Sequence, residues 1–204
     1  MTVLAAQDIQ WEIQHGRLSI DPFYSSKEIF RGMSFGLSSA GYDVRIDLNN
    51  DQEVWKDQDQ PNDPEFIKLE PGKFTLAVIK EYLKLPDDLI AFVHDKSTLA
   101  RMGIAVQNTV IEPGWYGYLT IELTNHSNQT VRLYNGQPIA QIIFQKLSNP
   151  TNKPYKGKYQ DQPPIATPAI LESPKDDVPE LTMEELRDCI QPNLVYEKGK
   201  LVYG

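Results

Sequence analysis

A mostly-β subunit, a barrel or a sandwich, is the fold class this sequence predicts, and three observations predict it. Strand signals recur at short spacing in FIKLEPGKFTLAVIKEYLKLP, DLIAFVHD, GIAVQNTVIEPGWYGYLTIELTN and VRLYNGQPIAQIIFQKL, between residues 66 and 147. Pro71-Gly72, Pro113-Gly114 and Asn135-Gly136 punctuate them as tight turns. The alternation of strand and helix that builds a parallel nucleotide-binding sheet is absent. Short strands separated by regular turns close into barrels and sandwiches.

The elements follow in order. Residues 4–14, LAAQDIQWEIQ, predict a short amphipathic helix with Gly16 as its C-terminal cap. LSIDPF is extended and broken at Pro22. Residues 31–41, RGMSFGLSSAG, are rich in glycine and serine and read as a loop; YDVRIDL, at 42–48, alternates as a strand. Residues 49–64, NNDQEVWKDQDQPNDP, are polar and acidic and read as an exposed excursion. The character changes after residue 150. Residues 151–162 carry two tyrosines and three lysines, and residues 163–180 carry five prolines, the composition of a linker or surface-wrapping arm. Thr182-Met183-Glu184-Glu185 has the form of a capping box and opens a short helix with Met183, Leu186 and Ile190 on one face. The last residues, LVYEKGKLVYG, read as a hairpin or as a strand lent to a neighbour. The expected division is a domain over 1–162 and a C-terminal extension over 163–204, packing on a neighbouring subunit.

Composition narrows the chemistry. The chain has 204 residues, 40% hydrophobic and 24% charged, which suits one domain, or one domain with a tail, and argues against wholesale disorder. Its net charge of −8 is the wrong sign for non-specific nucleic-acid binding, so any anionic ligand must be met by locally gathered cations or a carried metal ion. The only cysteine, Cys189, forbids an internal disulfide and a cysteine-rich zinc site. No stretch is long and apolar enough for a membrane span, and no signal pattern opens the chain, so a cytoplasmic protein is expected.

Phosphate-loop, dinucleotide and hydrolase-triad motifs are absent, and one cysteine cannot build the zinc nucleobase deaminase site. Four segments remain. Asp95-Lys96-Ser97-Thr98-Leu99-Ala100-Arg101 packs two cations and two hydroxyls into seven residues. It reads either as a helix N-cap with flanking surface charges, the commoner use of such strings, or as a phosphate cradle in which Lys96 is a point charge and Arg101 a planar fork. In Tyr118-Leu119-Thr120-Ile121-Glu122-Leu123-Thr124-Asn125 the apolar odd positions share one strand face, and Glu122 shares the other with Thr120 and Thr124. Glu122 is ordinary if that face is solvated and a proton-transfer group if the face lines a cleft. Glu112, at the entrance of the Pro113-Gly114 turn, is a turn residue or a holder of a ligand hydroxyl. Residues 154–162, PYKGKYQDQ, are a polar linker or a segment that closes over an anion and a flat ring.

Taken in order over residues 1–162, these segments resemble the deoxycytidine triphosphate deaminase branch of the dUTPase-like family. GRLSIDP, SSAGYDVRI, LEPGKFTLAVIKEYLKLPDDLIAFVHDKSTLARMGI, IEPGWYGYLTIELTN, YNGQPIAQIIFQKL and PYKGKYQDQ carry the resemblance, and six in sequence are specific. It implies a β-barrel or β-clip subunit with a short N-terminal helix, a homotrimer with active sites between subunits, magnesium carried on the nucleotide triphosphate, and no zinc. By the resemblance, Glu122 activates the water that attacks C4 of cytosine, and Arg101 orients that water and the developing charge. Ser97 and Thr98 are phosphate and catalytic-site hydroxyls, and Lys96 joins them on the substrate. Glu112 holds the sugar 3′-hydroxyl, the backbones of Thr120 and Ile121 read the base edge, and Tyr155, Lys158 and Gln162 belong to the closing segment. Three features depart from the branch: Lys96 stands for an arginine, Glu112 for an aspartate, and the stretch from Arg101 to Pro113 is shorter. The activity implied is deamination of dCTP to dUTP and ammonia. The competing readings are a dUTP or dCTP pyrophosphatase, or a bifunctional enzyme, releasing a monophosphate and pyrophosphate, and a nucleotide-binding regulator without turnover.

Overall fold

A computed structural model describes residues 2–48, 53–60, 62, 64–171, 194–197 and 200–203. The chain divides into two compact units, Met1–Thr167 and Pro168–Gly204.

The first unit opens with strand β1 (Thr2–Val3) and helix α1 (Ala6–Gln14). The Asp8 carboxylate accepts the Ala5 amide at 3.0 Å and fixes the start of the helix. Gly16 follows its last turn, where the spacing predicts a cap, and donates its amide to the Ile13 carbonyl. The helix buries Ile9 and, unusually, Glu12. Arg17 Nε meets Glu12 at 2.6 Å and its Nη2 meets Asp88 at 2.5 Å, so the buried carboxylate is paired and α1 is tied to the turn before β9 (Leu89–Asp95).

Among the described residues, eleven strands form the main sheet. Its central path runs β10 (Ile104–Val106), β12 (Tyr116–Asn125), β8 (Phe74–Lys84), β5 (Gly41–Asp47), β14 (Pro138–Lys146), β9 and β11 (Val110–Ile111). Strands change partners along their length and so curl the sheet around one core. β8 pairs β12 along one side, while its other side pairs β5 at Val78 and Ile79 and β2 (Ser19–Asp21) from Tyr82 to Lys84. The core is filled by Tyr42, Val44, Ile46, Ile79, Leu83, Leu89, Leu123 and Phe144, all buried. Each such side chain contributes roughly 1.5–3 kcal/mol of burial free energy.

Residues 31–41 are not the loop their glycines and serines suggest. Met33–Ser38 is strand β4, paired with β3 (Lys27–Phe30) and, through a tight turn at Ser39 and Ala40, with β5. Met33, Phe35 and Leu37 alternate inward, which is a strand pattern that the small residues obscured. Gly36 is required there by a close approach: a Cβ would lie 2.6 Å from the Ser26 carbonyl. The acidic excursion is also partly built in. Trp55–Lys56 is strand β6 in a second sheet, ordered β13 (Val131–Tyr134), β7 (Glu65–Leu69), β6. Asp57 beside it is buried, accepting Tyr134 OH at 2.6 Å and Arg132 Nη1 at 3.3 Å.

The second unit contains an antiparallel hairpin of β15 (Leu194–Glu197) and β16 (Lys200–Tyr203), one of the two readings the sequence left open for this stretch. The helix expected from Thr182 lies outside the described residues.

Candidate active site

Strand β12 is the spine of the site. Leu119, Ile121 and Leu123 point into the core, which turns Thr120, Glu122 and Thr124 to the opposite face. Glu122 is half-buried, and its Oε2 is buried without a hydrogen-bond partner among the described residues. Burial pushes its carboxyl pKa above the ordinary value, and only a bond to its own backbone opposes that. A carboxylate that holds a proton easily and has an idle oxygen is equipped for proton transfer.

The backbone of β12 alternates too. The Tyr118 amide donates to the Gln162 carbonyl at 3.0 Å, and the Glu122 carbonyl accepts the Gln107 amide at 2.9 Å. Both lie on the edge away from β8, and alternation puts the amide and carbonyl of Thr120 on that edge between them. Ile121 has the opposite parity and faces its partner Ala77 on β8. Of the two backbone positions expected to read a base edge, Thr120 therefore faces the gap in the ladder and Ile121 does not. The Thr120 hydroxyl accepts the Thr167 amide at 2.9 Å.

Helix α2 (Ser97–Arg101) brings the hydroxyl and cation cluster to the same end of β12. It is a single turn, pinned by the buried Leu99 and by the Ala100 amide on the Lys96 carbonyl at 2.9 Å. Asp95 Oδ1 accepts the Val106 amide at 2.6 Å and closes the loop, and β10 then pairs with Leu123, Thr124 and Asn125. Ser97, Thr98 and Arg101 are exposed, with Arg101 Nη1 3.4 Å from the Ser97 carbonyl. Lys96 behaves differently. Its side chain is only 10% exposed, and its ammonium lies 2.5 Å from Asp43 Oδ2 and 3.3 Å from Ser34 Oγ.

The closing segment lies along the first half of β12. The Tyr155 amide donates to the Pro113 carbonyl at 2.8 Å, Gln160 Nε2 to the Gly114 carbonyl at 3.0 Å, Trp115 Nε1 to the Tyr159 carbonyl at 2.6 Å, and the Asp161 amide to the Tyr116 carbonyl at 2.9 Å. Gln162 is buried in a parallel bridge with Gly117. A Cβ on Gly117 would lie 2.5 Å from the Gln162 nitrogen, so glycine is what lets the two backbones touch. Tyr155 packs against the core, and Lys158 remains exposed. The first compact unit runs on past this segment to Thr167.

Glu112 is exposed at the turn that leads into β12, its carbonyl accepting the Trp115 amide at 3.1 Å. Tyr116 and Glu122 are six steps apart along extended strand, a span of roughly 20 Å. The chain thus places Glu122, Thr120 and α2 toward the end of β12, and Glu112 with the segment 154–162 toward its start. Sequence reasoning missed Asp43, although it lies in SSAGYDV, and missed Thr167, which has no local signal.

Among the described residues, no group of three or more histidine, cysteine, aspartate or glutamate side chains is placed to hold a metal ion, and no helix is long and apolar enough to cross a membrane. The fold sets a half-buried carboxylate on β12 and, next to the strand that pairs with its end, a hydroxyl-bearing turn with an exposed arginine. The chain belongs to the dCTP deaminase-like family, whose pattern matches residues 3–147. It is 38% identical over 168 residues to a dCTP deaminase of Campylobacter fetus, covering 74% of this chain and 90% of that protein. It is 33% identical over 175 residues to a dUMP-forming dCTP deaminase of Methanosphaera stadtmanae, covering 79% and 87%. The crystal structure of 2′-deoxycytidine 5′-triphosphate deaminase from Agrobacterium tumefaciens shares the fold, with a TM-score of 0.51 and 18% identity over 71% of this chain and 47% of that one.

Proposed function

We propose that this enzyme hydrolyses dCTP to dUTP and ammonia. The observation that carries the reading is Glu122, a half-buried carboxylate of raised pKa with an oxygen unpartnered among the described residues, on the strand beside a hydroxyl-rich turn. Glu122 takes a proton from water as the oxygen bonds to C4 of cytosine, passes it to N3, and assists the departing amine, so that one water enters and one ammonia leaves. Arg101 stabilises the charge that develops during attack. Ser97 and Thr98 hold phosphate oxygens or the water, and the Thr120 backbone reads the base edge with Ile121 behind it. Glu112 receives the sugar 3′-hydroxyl, and Tyr155, Lys158 and Gln162 close the site. Magnesium enters as part of the substrate, on the triphosphate.

The working assembly is a homotrimer with sites between subunits. The span of roughly 20 Å along β12 from Tyr116, four residues past Glu112, to Glu122 supports this, because C4 and the 3′-hydroxyl of one nucleoside lie much closer together. A second reading, release of dUMP and pyrophosphate, is favoured by the short stretch between Arg101 and Pro113 and by the dUMP-forming relative. Incubation with magnesium and dCTP, and separately with dUTP, followed by chromatography of all products, tests both. Formation of dUTP with dUTP itself untouched is the expected result. Release of monophosphate and pyrophosphate establishes the second reading, and no product overturns both.

A further inference from the structure

The cation nearest the phosphate turn is not available to a phosphate. Lys96 leaves β9 just before α2, and its side chain crosses β14 to reach Asp43 on β5 and Ser34 on β4. Asp43 is itself buried, and its second oxygen, Oδ1, has no hydrogen-bond partner among the described residues. An ammonium that left Asp43 to meet a ligand would strand a carboxylate away from water, which is costly. Lys96 is also the residue at which the chain turns into α2, and its carbonyl accepts the Ala100 amide.

We infer that Lys96 and Asp43 are positioning residues. Their ion pair, steadied by Ser34, sets where α2 presents Ser97, Thr98 and Arg101, and Lys96 does not itself bind the triphosphate. The inference rests on the reading of α2 as the triphosphate turn. It assigns a role to Asp43 and takes the direct cationic contact away from Lys96, leaving Arg101 as the exposed cation of the turn. An arginine at 96 keeps the positive charge and offers a planar fork that suits both carboxylate oxygens. Lys96→Arg is therefore expected to preserve the positioning.

The experiment compares Lys96→Met, Lys96→Arg, Asp43→Asn, Ser34→Ala and the Lys96→Met/Asp43→Asn pair in the full chain. It measures KM and kcat for magnesium dCTP, binding of magnesium tripolyphosphate by calorimetry, and melting temperature. Positioning predicts that Lys96→Met and Asp43→Asn each weaken dCTP and tripolyphosphate by about tenfold, as loss of a charged hydrogen bond does. The double variant should be no worse than either single one, and kcat should change far less than KM. Ser34→Ala, the mildest change, should move KM the same way, and Lys96→Arg should restore it. A direct contact predicts the reverse: Asp43→Asn frees the ammonium and leaves or lowers KM, and Ser34→Ala is silent. That pattern, or unchanged KM and tripolyphosphate affinity in every variant, overturns the inference. Binding of tripolyphosphate that depends on the pair, in a protein that does not deaminate dCTP, keeps the inference and removes the functional reading.

Discussion

Glu122, the proposed base, sits in a place where the fold disfavours its charge. Because burial raises its pKa, the native protein holds that proton more tightly than the unfolded chain does. Stability is therefore lost as pH rises from the ordinary glutamate range through the raised value. Glu122→Gln should melt at a higher temperature than the parent at neutral pH, and the gain should vanish in acid below the ordinary value. The same substitution should cost about 10²–10⁴-fold in deamination rate. The acid limb of kcat/KM in the parent should lie above the ordinary glutamate range. Glu81 answers the opposite question. It is fully buried; Arg45 donates to it from Nε at 2.7 Å and from its backbone amide at 3.0 Å, while the guanidinium lies 4.7 Å from the Tyr24 and Phe35 rings. Burial raises its pKa, and the bonds from Arg45 act against that rise. Glu81→Gln leaves that guanidinium buried without its counter-charge and should cost about 3–5 kcal/mol in chemical denaturation. The sequence distinguished these two glutamates only in part. Glu122 stood out from its apolar neighbours and its family match. Glu81 in VIKEYLK looks like any outward strand residue, and its burial depends on Arg45, 36 positions away.

At the level of elements, the turns were legible because Pro-Gly and Asn-Gly carry their conformation locally. Strand β4 was not, since its glycine serves a contact with Ser26 rather than a bend. The docking of the closing segment on β12 was equally hidden: a segment rich in lysine and tyrosine gives no local sign of which backbone it will touch. Gly117→Ala tests that seam. The added methyl meets the Gln162 backbone, so residues 155–162 should lift from β12. Trypsin should then cut faster after Lys156 and Lys158, and kcat/KM should fall while the melting temperature moves little.

For the whole molecule, the spacing between Glu112, at the turn before β12, and Glu122, within it, is the consequential feature. Sedimentation of the intact protein should give about three times the 23.2 kDa chain mass. Mixing inactive Glu122→Gln with inactive Glu112→Ala chains should restore activity at sites that draw one good residue from each. A purely additive mixture would place both residues in one subunit. The expectation of a trimer rests on family resemblance alone, because no single-chain pattern encodes a symmetric contact.

The indole of Trp115 donates its N–H to the closing segment from a buried position, whereas Trp11 and Trp55 are 49% and 40% exposed. The chain therefore carries its own optical gauge. With acrylamide or iodide silencing the two outer indoles, the remaining fluorescence belongs to Trp115. Its shift to longer wavelength reports the moment residues 155–162 leave the strand, in the unlabelled protein and during turnover.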